Sequence, residues 1–257
     1  MAGSPPTGSG RPRAGRTRLA RRQAALLRLT TQIAAAHSER EIYQSVVNGL
    51  RDPALGYDFV GVFLRDPDTD DRIMQASVGW ENLPEGFRVP AGQGLSARPF
   101  EDGRLHYTPD VAKDPRYVSG LDTGSEVDVP LRIDDEVVGV LVVESREPRA
   151  FKDADLEILA AAANQAAIAA GRARLVAQQR ALLQAERRQK QYFEDLVLNN
   201  PVAVVTLDPD HTAVACNPAF ERLYGYRQDE VLGRKLDELI TTEETRAQAE
   251  AYTRDAV

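Results

Sequence analysis

The chain has 257 residues, 42% hydrophobic and 28% charged, with a formal net charge of −7; that length admits one large domain or two small ones with room for a sizeable core. The lone cysteine, Cys216, excludes an internal disulfide and any paired-cysteine metal site. No run approaches the roughly 18 to 20 apolar residues of a membrane span, and residues 1–10 lack the apolar stretch of a secretory signal, so the expectation is an intracellular, cytoplasmic protein or a soluble piece of something larger.

The charge is unevenly placed. Residues 1–22 hold six arginines (Arg11, Arg13, Arg16, Arg18, Arg21, Arg22) and no acid, which leaves the remainder near −13. Such an arm can meet nucleic acid or anionic lipid. No aromatic residue interleaves the arginines to stack a base, and the surrounding Gly, Ser and Pro favour a disordered, solvated basic tail over 1–22.

From Leu19 to Leu50 the pattern is helical. Leu26, Leu27, Leu29 and Ile33 form one apolar stripe, and Ile42, Val46, Val47 and Leu50 a second. Ser38 with Glu41 three residues on is a capping box, so a new helix starts there. Residues 59–64, FVGVFL, are a buried strand, DPDTDD (66–71) a turn, and RIMQASVG (72–79) the returning strand of an antiparallel hairpin. PAGQG (90–94) is loop chemistry, 95–100 a short helix, LHYTPD a brief strand, and DVAKDPRY a helical turn. SEVDVPLRI, the turn DDE, and VVGVLVVES make a second hairpin, with Val127, Val129 and Leu131 alternating as on a half-buried strand. Residues 153 to about 199 read as one long helix, its core face built from Leu156, Leu159, Ala163, Ala166 and Ala170 after Phe151. Ile168, Leu175, Leu182 and Leu196 recur at multiples of seven, with Val176 and Leu183 beside them and Gln189 interrupting the row. A parallel coiled coil, and hence a homodimer through this helix, is the expectation; a solvated linker helix is the alternative.

Candidate chemistry is sparse. Asp66, Asp68, Asp70 and Asp71 suggest a calcium loop, but no glycine sits mid-loop and no Glu closes it, so the cluster reads as a solvent turn. Asp134, Asp135 and Glu136 are also turn residues. His37 lies near a helix end, His211 in a turn and His106 on a strand. No Ser/His/Asp or Cys/His set assembles, and no phosphate loop, nucleotide lid or phosphotransfer histidine helix is present. No enzyme activity is expected of these residues. Cys216 reads as a small buried apolar residue.

The element order is α+β. GYDFVGVFL, GQGLSARPFEDGRLHYTPDVAKDPRY and SEVDVPLRIDDEVVGVLVVES, in that order, make residues 23–172 resemble a GAF domain. The resemblance implies an antiparallel sheet of five or six strands, with helices on one face and loops enclosing a ligand pocket on the other. By that analogy the pocket floor includes Val60, Val62, Met74 and Val140, its lid Leu95, Phe100, Tyr107 and Tyr117, and His106 sits beside it. The segment lacks the cysteine that bilin-binding members use, the several cysteines of the free-methionine-sulfoxide reductases, the pocket histidine of haem-binding members, and a recognisable cyclic-nucleotide signature. The cofactor is therefore left open.

Leu198 to Ile240, LNNPVAVVTLDPDHTAVACNPAFERLYGYRQDEVLGRKLDELI, is similar to the first half of a PAS domain. Val202–Leu207 and Thr212–Cys216 read as a hairpin. Asn217 caps a helix with Pro218 at its first position, Phe220, Leu223 and Tyr224 share its buried face, and Gly225 ends it. Val231, Leu232 and Gly233 repeat the pattern. Residues 241–257 show nothing resembling the three remaining strands, so an incomplete, marginally stable half-domain over 199–257 is expected, with one bare strand edge. Flavin-binding members need a cysteine on a later helix, which Cys216 does not match. The order — sensor domain 23–172, signalling helix 173–198, PAS half 199–257 — implies a sensory module of a bacterial signal-transduction protein. Its pocket would bind a small molecule or partner, and the helix would pass the change to an output domain such as a histidine kinase or a nucleotide or diguanylate cyclase. The alternatives are a dimerisation protein whose pocket is filled by its own side chains, and a standalone enzyme.

Overall fold

The computed structural model describes residues 11–80, 82–84, 86–118 and 122–241, with side chains from residue 20 onward. The chain divides into two compact units, 1–178 and 179–257.

In the first unit, helix α1 (Arg11–Ala35) begins well inside the segment read as a disordered tail. Arg22 is part of the fold: it pairs with Asp155, which also accepts hydrogen bonds from Tyr57 Oη at 3.2 Å and Lys152 N at 2.9 Å. Buried Ala25, Leu29 and Ile33 recur every four residues and form the inward row of α1, while Leu27 lies off that row and is 69% exposed. The structure therefore replaces the expected stripe at this position. Helix α2 (Glu39–Leu50) starts at the expected cap, where Ser38 Oγ accepts the Glu41 N–H.

Among the described residues six strands form one antiparallel sheet. In chain order they are β1 (Phe59–Arg65), β2 (Arg72–Val78), β3 (Arg88–Val89), β4 (His106–Thr108), β5 (Ser125–Ile133) and β6 (Glu136–Ser145), and across the sheet they run β3-β2-β1-β6-β5-β4. The two-residue β3 falls in a stretch read as loop. Helix α3 (Arg98–Asp102) precedes β4, and α4 (Asp153–Leu198) follows β6.

Strand side chains alternate between faces. Val60, Val62, Ala76, Val127, Val129, Leu131, Leu141 and Val143 all face one way and pack against α1, α2 and α4. Small side chains on α4 (Ala162, Ala163, Ala166, Ala167, Ala170) are all buried and let the helix lie close to the sheet. A bulge at Gln75 sets Met74 on the opposite face from Ala76, because Phe63 pairs with Met74 and Val62 with Ala76.

The second unit holds β7 (Val205–Leu207) and β8 (Ala213–Cys216) as a two-stranded sheet, then α5 (Pro218–Tyr224), α6 (Gln228–Val231) and α7 (Leu236–Ile240). Strand β7 is shorter than the Val202–Leu207 expected. Asn217 Oδ1 accepts the N–H groups of Phe220 and Val204, each at 2.9 Å. Its Nδ2 donates to the carbonyls of Val197 (3.1 Å), Asn200 (3.3 Å) and Val202 (2.9 Å). One buried side chain thus ties the end of α4 to the first strand and the first helix of the PAS-type fold. Gly225 closes α5 at φ 76°, a left-handed conformation that costs glycine little. Cys216 is buried among Ala213, Phe220, Val231 and Leu239, and burial pushes its thiol pKa up. Residues 242–257, on which the expectation of a missing second half rested, lie outside the described residues.

Candidate functional site

The face of the sheet turned away from the long helices carries Phe59, Phe63, Met74, Val140 and Val142, covered by Trp80, with Leu83, Phe87, Val89 and Phe100 packed on this group. Trp80 stacks on Phe59 (centroids 6.2 Å, planes 9° apart) and tilts against Phe63 at 5.9 Å. The ring fits over β1 because residue 61 is glycine: a Cβ there would lie 2.2 Å from Trp80 Cζ3.

Beside Trp80 opens a cavity of about 290 Å³. Its walls are mainly apolar and aromatic: Phe63, Trp80, Leu83, Phe87, Val89, Tyr117, Val118 and Val142. The loop Pro90, Gln93, Gly94, Leu95 and Ser96 borders it, and the charged groups lining it are Arg88, Glu126 and Glu144. Arg88 reaches outward to Asp66 at 2.8 Å and Asp71 at 3.7 Å, so part of the cluster once suggestive of calcium orients an arginine. Among the described residues no group of His, Cys, Asp and Glu side chains is arranged to hold a metal ion.

Glu126 and Glu144 stand directly opposite each other on β5 and β6, a pairing that repels when both are charged. Two residues along β5, Asp128 is fully buried on the same face, and apart from the proton that a neutral Glu126 can share with it, neither of its carboxylate oxygens has a hydrogen-bond partner among the described residues. Burial raises all three pKa values. At Glu126 repulsion from Asp128 and Glu144 and a hydrogen bond to Asp128 add to the effect; at Asp128 that same hydrogen bond from Glu126 and the Arg72 and Arg98 charges oppose it, while repulsion from Glu144 adds to it. Arg72 is itself buried, donating to the carbonyls of Pro90 (3.2 Å) and Gln93. Arg98 is held by Asp114 at 2.6 Å and by Thr108 Oγ1 at 3.3 Å. Thr123 Oγ1 donates to Glu144 at 2.6 Å. The Trp80 indole N–H has no partner at hydrogen-bond distance among the described residues, yet lies near enough to Glu144 to favour its charged form.

The expected pocket residues separate by face. Leu95 and Tyr117 line the cavity, while Met74, Val140 and Phe100 belong to the apolar layer beside it. Val60 and Val62 point to the helical layer instead. So does Tyr107, which pairs with Val127 and meets Phe151 edge-on at 5.8 Å. His106 is on the cavity's face of the sheet but is not a lining residue; its Nε2 sits 3.0 Å from Asp102 Oδ1. Sequence reasoning missed Glu126, Asp128, Glu144 and Trp80.

The sheet order, the helical layer on one face and the cavity on the other agree with comparison to known proteins, in which the GAF domain family pattern matches residues 38–170. The chain belongs to the GAF domain family. A PAS domain follows at 201–256. The GAF domain of an Acinetobacter phosphoenolpyruvate-protein phosphotransferase superposes with a TM-score of 0.56 at 22% identity, over 61% of this chain and 96% of that one. A free methionine-R-sulfoxide reductase from Neisseria meningitidis, solved with its substrate, gives 0.56 at 21% identity over 68% and 99%. Both show likeness of fold alone. A methyl-accepting chemotaxis protein fragment gives 0.52 at 25% identity over 58% and 98%. Among curated proteins, Protein YtsP of Bacillus subtilis (strain 168) is 28% identical over 81 residues, 31% of this chain. The matched stretch spans about half the length of that relative (50%). GAF and PAS domains are sensory and signalling modules. Among the described residues no helix is long and apolar enough to cross a membrane.

Proposed function

We propose that the GAF domain is the sensory part of a bacterial signalling protein, in which a small molecule in the cavity beside Trp80 biases the setting of two α4 helices in a homodimer. The PAS domain, and beyond it an output domain such as a histidine kinase or a nucleotide or diguanylate cyclase, reads that setting in the cytoplasm. The observation that carries the reading is a cavity of about 290 Å³ on one face of a sheet whose other face packs against the start of α4. A ligand drives such a relay only by binding one setting more tightly than the other.

The residues act by binding rather than by turnover. The reductases of this fold need cysteines, and the single cysteine of this chain is Cys216, beyond the GAF domain. The row Ile168, Leu175, Leu182 and Leu196 on α4 is 48%, 66%, 72% and 52% exposed, as expected of a face awaiting a second helix. Native mass spectrometry of the purified chain tests the ligand. A small molecule retained by the wild type and lost from a Val142→Trp variant, which fills the cavity, supports the reading. A chain that retains nothing and binds nothing from a metabolite extract leaves only a dimerisation protein.

A further inference from the structure

We propose that this cavity takes an organic cation: an amine whose charged head is held by Glu126 and Glu144 and whose apolar body lies against Trp80. The proposal rests on the reading of the cavity as a small-molecule site and names the class of molecule.

Three observations converge on it. The first is the charge of the lining. Of the three charged residues there, Arg88 is drawn outward by Asp66 and Asp71, which leaves two opposed carboxyls as the charges free to meet a guest. The second is what they lack. Carboxyls buried opposite each other repel and lose hydration; the Arg72 and Arg98 charges act on Asp128 from nearby, but their hydrogen bonds go to backbone carbonyls and to Asp114 rather than to Glu126 or Glu144. Asp128, behind them, is fully buried, and apart from the proton that a neutral Glu126 can share with it, neither of its oxygens has a hydrogen-bond partner among the described residues. A positive charge entering between Glu126 and Glu144 relieves the repulsion of their facing carboxyls. The third is the wall. Trp80 is 6% exposed, its indole N–H lies near Glu144 with no partner at hydrogen-bond distance among the described residues, and it lines the cavity with Phe63 and Phe87. Aromatic faces attract cations and their apolar substituents.

The chemistry of the site also selects among cations. No group of acids, histidines and cysteines among the described residues is arranged to hold a metal ion, and a bare divalent ion would leave the aromatic walls unused. A neutral guest would leave the carboxyls as they are, and an anion would meet two of them.

Trp80 is the single tryptophan of the chain, so its emission reports on the cavity directly. The full chain is titrated with 2-phenylethylamine, 2-phenylethanol and phenylacetate, which share a ring and differ in charge. The amine is expected to change the emission saturably, the alcohol to bind at least tenfold more weakly, and phenylacetate to give no response. Glu144→Gln and Glu126→Gln, each near in shape to a protonated acid, should remove the preference for amine over alcohol while the alcohol still binds and the melting temperature does not fall. If the alcohol or phenylacetate binds as well as the amine, or if the preference survives both substitutions, the cation inference falls and the ligand-binding reading stands. A flat response to all three probes also overturns the cation inference; the retained-ligand measurement on the Val142→Trp variant then decides the broader reading separately.

Discussion

Gly61 shows how one absent atom shapes the site. Its missing Cβ is the space that Trp80 occupies over β1. Gly61→Ala should push the indole aside, cost about 1–3 kcal/mol as overpacking does, and shift Trp80 emission toward that of an exposed tryptophan; an unchanged spectrum would mean the ring is held by other contacts. Asn217 is the corresponding residue of the PAS domain. It caps α5 and satisfies backbone groups of the segment leaving α4. Asn217→Ala leaves several of those groups unpaired in a buried site, at about 1–3 kcal/mol for each one that water cannot reach. Hydrogen exchange should therefore accelerate across residues 201–241 and stay the same across β5 and β6, because the two units are compact on their own.

At the scale of the element, β5 and β6 carry opposite commitments on their two faces. Val127, Val129 and Leu131 bury against helices, while Glu126 and Asp128 bury beneath the cavity. Burial pushes Asp128 up to about 7, and Glu126 and Glu144 are raised with it. A hydrogen bond from Glu126 and the charges of Arg72 and Arg98 oppose the shift at Asp128, as Thr123 and Trp80 do for Glu144. A carboxyl whose pKa is higher folded than unfolded binds its proton more tightly in the folded state. Its contribution to stability is complete below the ordinary carboxylate value of about 4 and is lost as pH rises through the raised value. Asp155 is shifted the other way: burial raises its pKa, but this is outweighed by the Lys152 N–H and the Arg22 guanidinium, leaving it lowered. Its contribution is therefore lost only as pH falls below about 4. The melting temperature should thus decline between about pH 4 and 7, and Asp128→Asn should flatten that decline and raise stability at the upper end. A slope identical in wild type and variant would show that Asp128 is not the group responsible.

For the molecule as a whole, the question is what covers the outer row of α4. Leu175 and Leu182 are too exposed to serve a core within one chain, and a sevenfold spacing suits a partner helix running alongside. Leu175→Glu with Leu182→Glu should convert a dimer to a monomer in sedimentation velocity and leave the Trp80 emission unchanged, since neither residue lines the cavity. A wild-type chain that sediments as a monomer at tens of micromolar would remove the dimer from the proposal.

Most of the elements could be read from local signals: the Ser38 cap, the two strand hairpins, the Asn217-Pro218 helix start and the Gly225 stop each depend on a few neighbouring residues. The site was less legible. In FVGVFL every residue but glycine is apolar, so alternation cannot say which side chains face the helices, and Val60 and Val62 pack on the helical face rather than the expected pocket floor. On β5 the signal was present, because Glu126 and Asp128 alternate with the valines of an inner strand, but it acquires meaning only when the sheet order puts Glu144 opposite Glu126. Helix α1 was foreshortened because the arginines of residues 11–22 look solvated until Asp155, 133 positions away, is seen to meet Arg22. The order of elements and the caps that bound them are legible in the residues, since they follow from periodicity and turn chemistry within short windows, and the family is legible as a resemblance carried by motifs such as SEVDVPLRIDDEVVGVLVVES. Which face holds the cavity and which acids converge there emerge with the folded chain, since strand register and the packing of distant segments are properties of the whole sheet.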